Sequence, residues 1–163
     1  MPCRMDGINM LSIVMLVGIT VIGFIPITFA QQGEEFTTML SGSEEVPPIK
    51  SNATGIAEIT TLEENSTGVV YYTVNASNIA DVVAGHIHLG KQGENGPVVA
   101  TLFKNDSPRN EVAANGYITT DKLEGPMLGK QISDLITAIT NGETYVNIHT
   151  VKHPNGEIRG QII

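Results

Sequence analysis

The chain has 163 residues, 17 acidic against 9 basic side chains, a net charge of −8, no tryptophan and a single cysteine. An acidic chain without a basic, aromatic-interleaved patch argues against nucleic acid and anionic membranes as partners. Cys3 precedes a long apolar run, so everything after that run must fold without a disulfide, on its hydrophobic core alone.

Residues 1–30 stand apart. Ile8 to Phe29 is almost continuously apolar, is broken by Pro26, and closes at Ala30 before Gln31-Gln32-Gly33. A small residue ending such a stretch predicts an export signal cleaved after Ala30. The alternative is an uncleaved anchor, since about 20 apolar residues span a bilayer. Either reading predicts an extracellular or cell-surface protein, with 31–35 a short linker and 36–163 one domain. Sequons at Asn52, Asn65, Asn75 and Asn105 are compatible with a glycoprotein.

From residue 36 onward the pattern is strand and turn. Phe36 to Ser41 is a short strand, followed by Glu44-Glu45 and by Pro47-Pro48, which exclude helix and central-sheet pairing. Gly55 to Leu62 and Gly68 to Asn75, rich in β-branched and aromatic residues, predict a hairpin around residues 63–67. Val82 to His88 and Pro97 to Phe103 form the next pair around the glycine-rich loop Gly90 to Gly96, and Gly116 to Thr120 is another short strand. Ile132, Leu135, Ile136 and Ile139 recur at helical spacing, with Ser133 near the start and Gly142 past the end. Glu143 to Thr150 and Glu157 to Ile163 are strands joined through the turn signal Asn155-Gly156. The expected fold is all-β: an antiparallel β-sandwich or flattened Greek-key barrel, with one short helix in a crossover loop.

All four histidines fall in two short segments. In Gly85-His86-Ile87-His88-Leu89-Gly90, strand alternation puts His86 and His88 on one face and Ile87 and Leu89 on the other, toward the core. In Tyr145-Val146-Asn147-Ile148-His149, inward Val146 and Ile148 leave Tyr145, Asn147 and His149 outward, with His153 in the turn beyond. Two imidazoles side by side form a half-site for copper or zinc, and a second pair from a distant strand would complete it. Such ligands converge to about 3 to 4 Å between ring nitrogens, as bonds of about 2.0 Å to one ion require. The alternative is a set of surface histidines that merely tie loops together.

Other chemistry finds little support. No cysteine follows the apolar run, so a thiol enzyme is excluded, and Ser41, Ser43 and Ser133 lack a nucleophile-elbow context. Glu44-Glu45 and Glu63-Glu64 read as solvated carboxylates. Residues 90–96 lack the Gly-Lys-Ser/Thr motif and the following helix of a phosphate-binding loop and read instead as a mobile loop bordering His88.

The blocks Phe36 to Pro48, Gly85 to Gly90 with Asn95 to Val99, Tyr145 to Thr150, and His153 to Gln161, in that order, resemble the CHRD (chordin) domain. The resemblance spans Phe36 to Ile163 and implies an extracellular β domain without an agreed activity. A weaker resemblance concerns the histidines. His86-Ile87-His88 on one strand with His149 on a later one is similar to the copper-ligand layout of Cu/Zn superoxide dismutases. It implies His86, His88 and His149 as copper ligands, His153 completing or flanking them, and Arg159 guiding an anion. The zinc-loop histidines and aspartate have no counterpart between Gly90 and Gly116, which leaves a mononuclear site.

Three functions follow as expectations. The first is a secreted mononuclear copper protein dismuting superoxide, with Lys91, Lys152 and Arg159 drawing the anion. The second is a copper or zinc carrier without turnover. The third is a metal-free binding or adhesion module, in which Lys152 and Glu157 form an ordinary exposed pair.

Overall fold

The computed structural model describes residues 33–64 and 67–163. The apolar leader, Cys3 and the Asn65 sequon lie outside them. Among the described residues are eight strands: β1 (Glu34–Ser41), β2 (Thr54–Glu64), β3 (Thr67–Ser77), β4 (Val82–Leu89), β5 (Val98–Arg109), β6 (Val112–Ile118), β7 (Thr144–Thr150) and β8 (Ile158–Gln161). They form one sheet in the order β5-β4-β7-β8-β1-β2-β3-β6, and every pairing is antiparallel. The two edge strands, β5 and β6, are consecutive in the chain and approach one another. The sheet therefore curls into a nearly closed barrel, which removes most of its open edge.

The inward faces supply the core. Leu40, Ile59, Val70, Val74, Ile87, Val146, Ile148 and Ile158 are buried in one cluster. The helix α1 (Ile132–Thr140), in the crossover between β6 and β7, adds Ile132, Leu135, Ile136 and Ile139 to that cluster. Its first turn is organised differently from expectation. Gln131 is the N-cap, and its backbone N–H donates to the Asp134 carboxylate at 2.8 Å, while Ser133 lies within the helix. Gly142 follows the helix with φ +67°, the left-handed conformation that glycine adopts most cheaply at a helix end. Among the described residues no helix is long and apolar enough to cross a membrane.

Several boundaries move. Strand β1 begins at Glu34, paired with Thr61, so two residues expected in the linker belong to the sheet. Strand β5 continues to Arg109, beyond the expected end at Phe103, because Lys104 and Arg109 still pair with β4. Strand β6 starts earlier, at Val112, through its pairing with Ala76.

Candidate metal centre

The site is assembled by the register between β4 and β7. His86 lies opposite Asn147, His88 opposite Tyr145, and Ala84 opposite His149. His149 therefore sits diagonally from His86, and the methyl of Ala84 leaves its ring free to lean over. The result is a triangle of imidazoles with ring centroids 4.8 Å apart for His86–His149, 5.6 Å for His88–His149 and 5.9 Å for His86–His88. One ring nitrogen from each lies within 4.8 Å of the other two. That is wider than the 3 to 4 Å expected around a bound ion, so the rings must draw together to share one. On its other side, β4 slips register against β5 between Gly85 and His86 and again between Ile87 and His88. Bulges of this kind re-aim side chains. The ring of Phe103 occupies the space a Cβ at position 85 would need, with Cε1 at 2.4 Å, so the segment entering His86 depends on glycine.

The histidines do point away from the barrel core, but they are not on an open surface. His88 and His149 are each only 8% exposed, and β7 is buried along its whole length, on both faces. The segments around residues 42–49, 90–97 and 151–157 cover this part of the sheet. His88 Nδ1 bonds the Gly96 carbonyl at 2.9 Å, and His149 Nδ1 bonds the Pro154 carbonyl at 3.0 Å. A carbonyl only accepts, so both Nδ1 atoms carry the proton and both Nε2 atoms present a lone pair. Those two Nε2 atoms, with His86 Nδ1, are buried without a hydrogen-bond partner. Burial dominates in lowering the proton affinity of all three rings. His86 is brought down to about 4, with His149, His88 and Lys104 adding repulsion. His88 and His149 shift in the same direction, each against the opposing pull of its backbone hydrogen bond. Neutral, oriented imidazoles with free lone pairs are what a transition metal needs.

A family model described as the CHRD domain matches residues 36–162.

The chain belongs to the CHRD domain family. No curated protein and no solved structure matches it. In this CHRD domain the three histidines form a cluster that could hold a metal ion. His153 is not in that group; it lines a groove of about 670 Å³ that His88 and His149 also line, and its backbone N–H donates to Thr150 Oγ1. Arg159 does not stand at the groove mouth. It is 1% exposed, its guanidinium lies 3.5 Å from the centre of the Tyr145 ring, and its N–H groups donate to Asn95 Oδ1 and the Lys91 carbonyl. Tyr145 in turn stacks on His88 with ring centroids 4.9 Å apart and interplanar angle 12°. Arg159 thus backs a ring that backs a candidate ligand.

The basic side chains also differ from expectation. Lys91 pairs with Glu143 at 3.6 Å. The Glu157 carboxylate accepts hydrogen bonds from Ser51 and Thr150, both at 2.7 Å, and is not the partner of Lys152. The residue-90 loop does border the site, as expected, but hydrogen bonds from Arg159, Gln161 and His88 tie it down.

Glu45 is the clearest correction. Expected in solvent, it is 4% exposed, and burial raises its carboxyl to about 7 despite the opposing hydrogen bond from Asn147 and the charge of Arg159. Sequence reading missed Glu45, Tyr145, Asn147 and Lys104 as neighbours of the histidines. For Tyr145 and Asn147 the signal was present, since both share the outward face with His149. Nothing in the local sequence separates Glu45 from Glu44.

Proposed function

We propose that this CHRD domain binds one copper ion through His86, His88 and His149 and that the centre dismutes superoxide. The observation carrying this reading is the trio of buried, unpartnered ring nitrogens, two of them fixed as acceptors by Nδ1–H bonds to backbone carbonyls. Leaving several buried polar atoms without partners is costly unless something occupies the space between them. This disfavours a metal-free role for the histidines. Three neutral imidazoles without a thiolate suit copper(II), which binds nitrogen ligands more tightly than the other common divalent ions, zinc included.

When bound, copper supplies a one-electron couple: one superoxide is oxidised to dioxygen, and a second, taking up two protons, is reduced to hydrogen peroxide. The chain's own groups do the rest. Tyr145, pressed by Arg159, holds the plane of the His88 ring. The groove beside His88 and His149 gives a small anion access. Lys104, whose charge acts on His86, and Lys152 on the groove wall favour a negative ligand and counter the acidic surface.

The test is copper content of the full chain purified without a histidine tag, with electron paramagnetic resonance of the copper(II) form and direct measurement of superoxide decay. One equivalent of copper with nitrogen hyperfine structure and accelerated decay is expected, both lost in His88→Ala. Copper held without acceleration would make the domain a carrier or store. No retained copper would overturn the reading.

A further inference from the structure

The groove beside the histidines contains a carboxyl group that the copper ligands do not require. Glu45 is nine-tenths buried or more, lines the groove together with His88 and His149, and leaves Oε1 without any hydrogen-bond partner. Its other oxygen, Oε2, accepts from Asn147 Nδ2 at 3.4 Å. The backbone that carries it is fixed. The Glu45 and Ile49 N–H groups both donate to the Gly42 carbonyl, and Asn95 Nδ2 donates to the Val46 carbonyl at 2.6 Å. Asn95 also accepts from Arg159, which links this segment to the support behind Tyr145 and His88. The carboxyl is therefore held in place by the same framework as the ligands, yet one of its oxygens is directed to no protein group.

Fold stability does not explain such a residue. Burying a carboxyl with one oxygen unsatisfied costs free energy, and an apolar side chain of similar size would avoid that cost. A ligand in the groove would explain it. The geometry points to Glu45 as a positioning residue for the small anion at the metal centre, its carboxylic acid donating a hydrogen bond from Oε1 to the anion. This rests on the copper reading above. Because Oε2 already accepts from Asn147, the proton rides on Oε1, the oxygen that no protein group engages. Burial, which raises the carboxyl to about 7, supports the acid form near neutrality. The groups around it are Asn147 from β7, Arg159 from β8, and His88, His149, Lys152 and His153 along the groove. Of these, the Arg159 charge and the Asn147 hydrogen bond favour the carboxylate, and burial outweighs them.

Azide binding to the copper-loaded full-length protein tests this without relying on turnover. Titration of the azide-to-copper charge-transfer band gives the affinity for the wild type, Glu45→Gln and Glu45→Leu, with copper content measured in parallel. Glutamine keeps a donor and should bind azide within about threefold of the wild type at low pH. Leucine removes it and should bind about tenfold more weakly with copper content unchanged, as expected for one lost hydrogen bond to a charged partner. Wild-type affinity should also fall as rising pH ionises the carboxyl, since the carboxylate would repel the anion, while Glu45→Gln should fall less. Hydroxide competition is common to both proteins and cancels in the comparison. That pair decides the matter if Glu45→Leu does not fold. Azide affinity equal in the wild type and Glu45→Leu, or parallel pH profiles in the wild type and Glu45→Gln, would overturn the assignment while leaving the copper centre standing. Loss of copper from Glu45→Leu would overturn it too, by making Glu45 a support of the ligands. A wild-type protein that retains no copper would remove the copper reading and this assignment with it.

Discussion

Strands β1, β2, β3 and β6 pair in continuous register, with all eleven residues of β2 matched to β3, whereas β4 and β5 slip register at three places. The outer faces differ as well. Tyr71 and Tyr117 on β3 and β6 are open to solvent, while Tyr145, Asn147 and His149 on β7 are buried beneath loops. The first half of the sheet is a one-sided ladder, with its apolar face inward and its polar face wet. In the second half, β7 and β8 are buried on both faces, with polar side chains on the second. Burial of that kind is expensive: among the described residues six buried polar side-chain atoms lack partners, and five of them are on His86, His88, His149, Asn147 and Glu45. The regular half maintains the barrel, and the bulged half gives up stability to hold a site.

Matched truncations in the two halves should separate most widely. His149→Ala should weaken copper binding by at least about 100-fold and cost the metal-free fold less than a core truncation does, because loss of the bond to the Pro154 carbonyl is partly offset by removal of an unpartnered buried nitrogen. Ile59→Ala, in the ladder half, should cost about 2–5 kcal/mol of stability and leave copper affinity of the folded protein unchanged. Competition with a copper chelator and urea unfolding measure the two effects; equal patterns in both variants would erase the distinction.

Gly156→Val should affect both properties. Gly156 has φ +126°, and a Cβ there would lie 2.4 Å from both amide atoms of Asn147. The backbone strain alone is about 1–3 kcal/mol. Displacement of the Pro154 carbonyl from His149 should weaken copper binding by roughly tenfold, within the range seen when a ligand's hydrogen-bond partner is lost. Unchanged copper affinity in a folded variant would show that this turn does not position His149.

Acid should act on the histidine half in particular. The three rings bind protons less readily folded than unfolded, so stability that is present above about 6.5 is lost as pH falls toward about 4, the value for His86. Glu45 acts oppositely, losing stability as pH rises from 4.5 to about 7. Three groups against one predict that the urea midpoint of the metal-free protein rises between pH 4.5 and 6.5, more steeply in Glu45→Gln. A flat profile would contradict the burial of the rings.

The smallest effect should be that of salt. Superoxide decay on the copper-loaded protein should slow several-fold as ionic strength rises, since the screening length is about 8 Å at physiological salt. Lys104→Gln should slow it at low salt only. A salt-independent rate would mean that no exposed cation draws the anion.

Much of this could be read directly from the residues. Alternation in Gly85 to Leu89 and in Tyr145 to His149 correctly assigned Ile87, Val146 and Ile148 to the core and the histidines to the opposite face. The helix was legible because Ile132, Leu135, Ile136 and Ile139 mark one face, and Gly156 because an Asn-Gly turn calls for positive φ. These are local properties, fixed by side-chain periodicity and by backbone sterics within a few residues. The register that sets Ala84 against His149 and Tyr145 against His88 is not local, and neither is the loop that returns Gly96 to cover them. Burial of Glu45 and Arg159 depends on segments tens of residues away, so the same letters read as solvated carboxylate and anion guide until the chain is folded. Sequence determined which side chains face away from the core; tertiary structure decided that this second face would also be closed, because only packing of distant loops removes water from it.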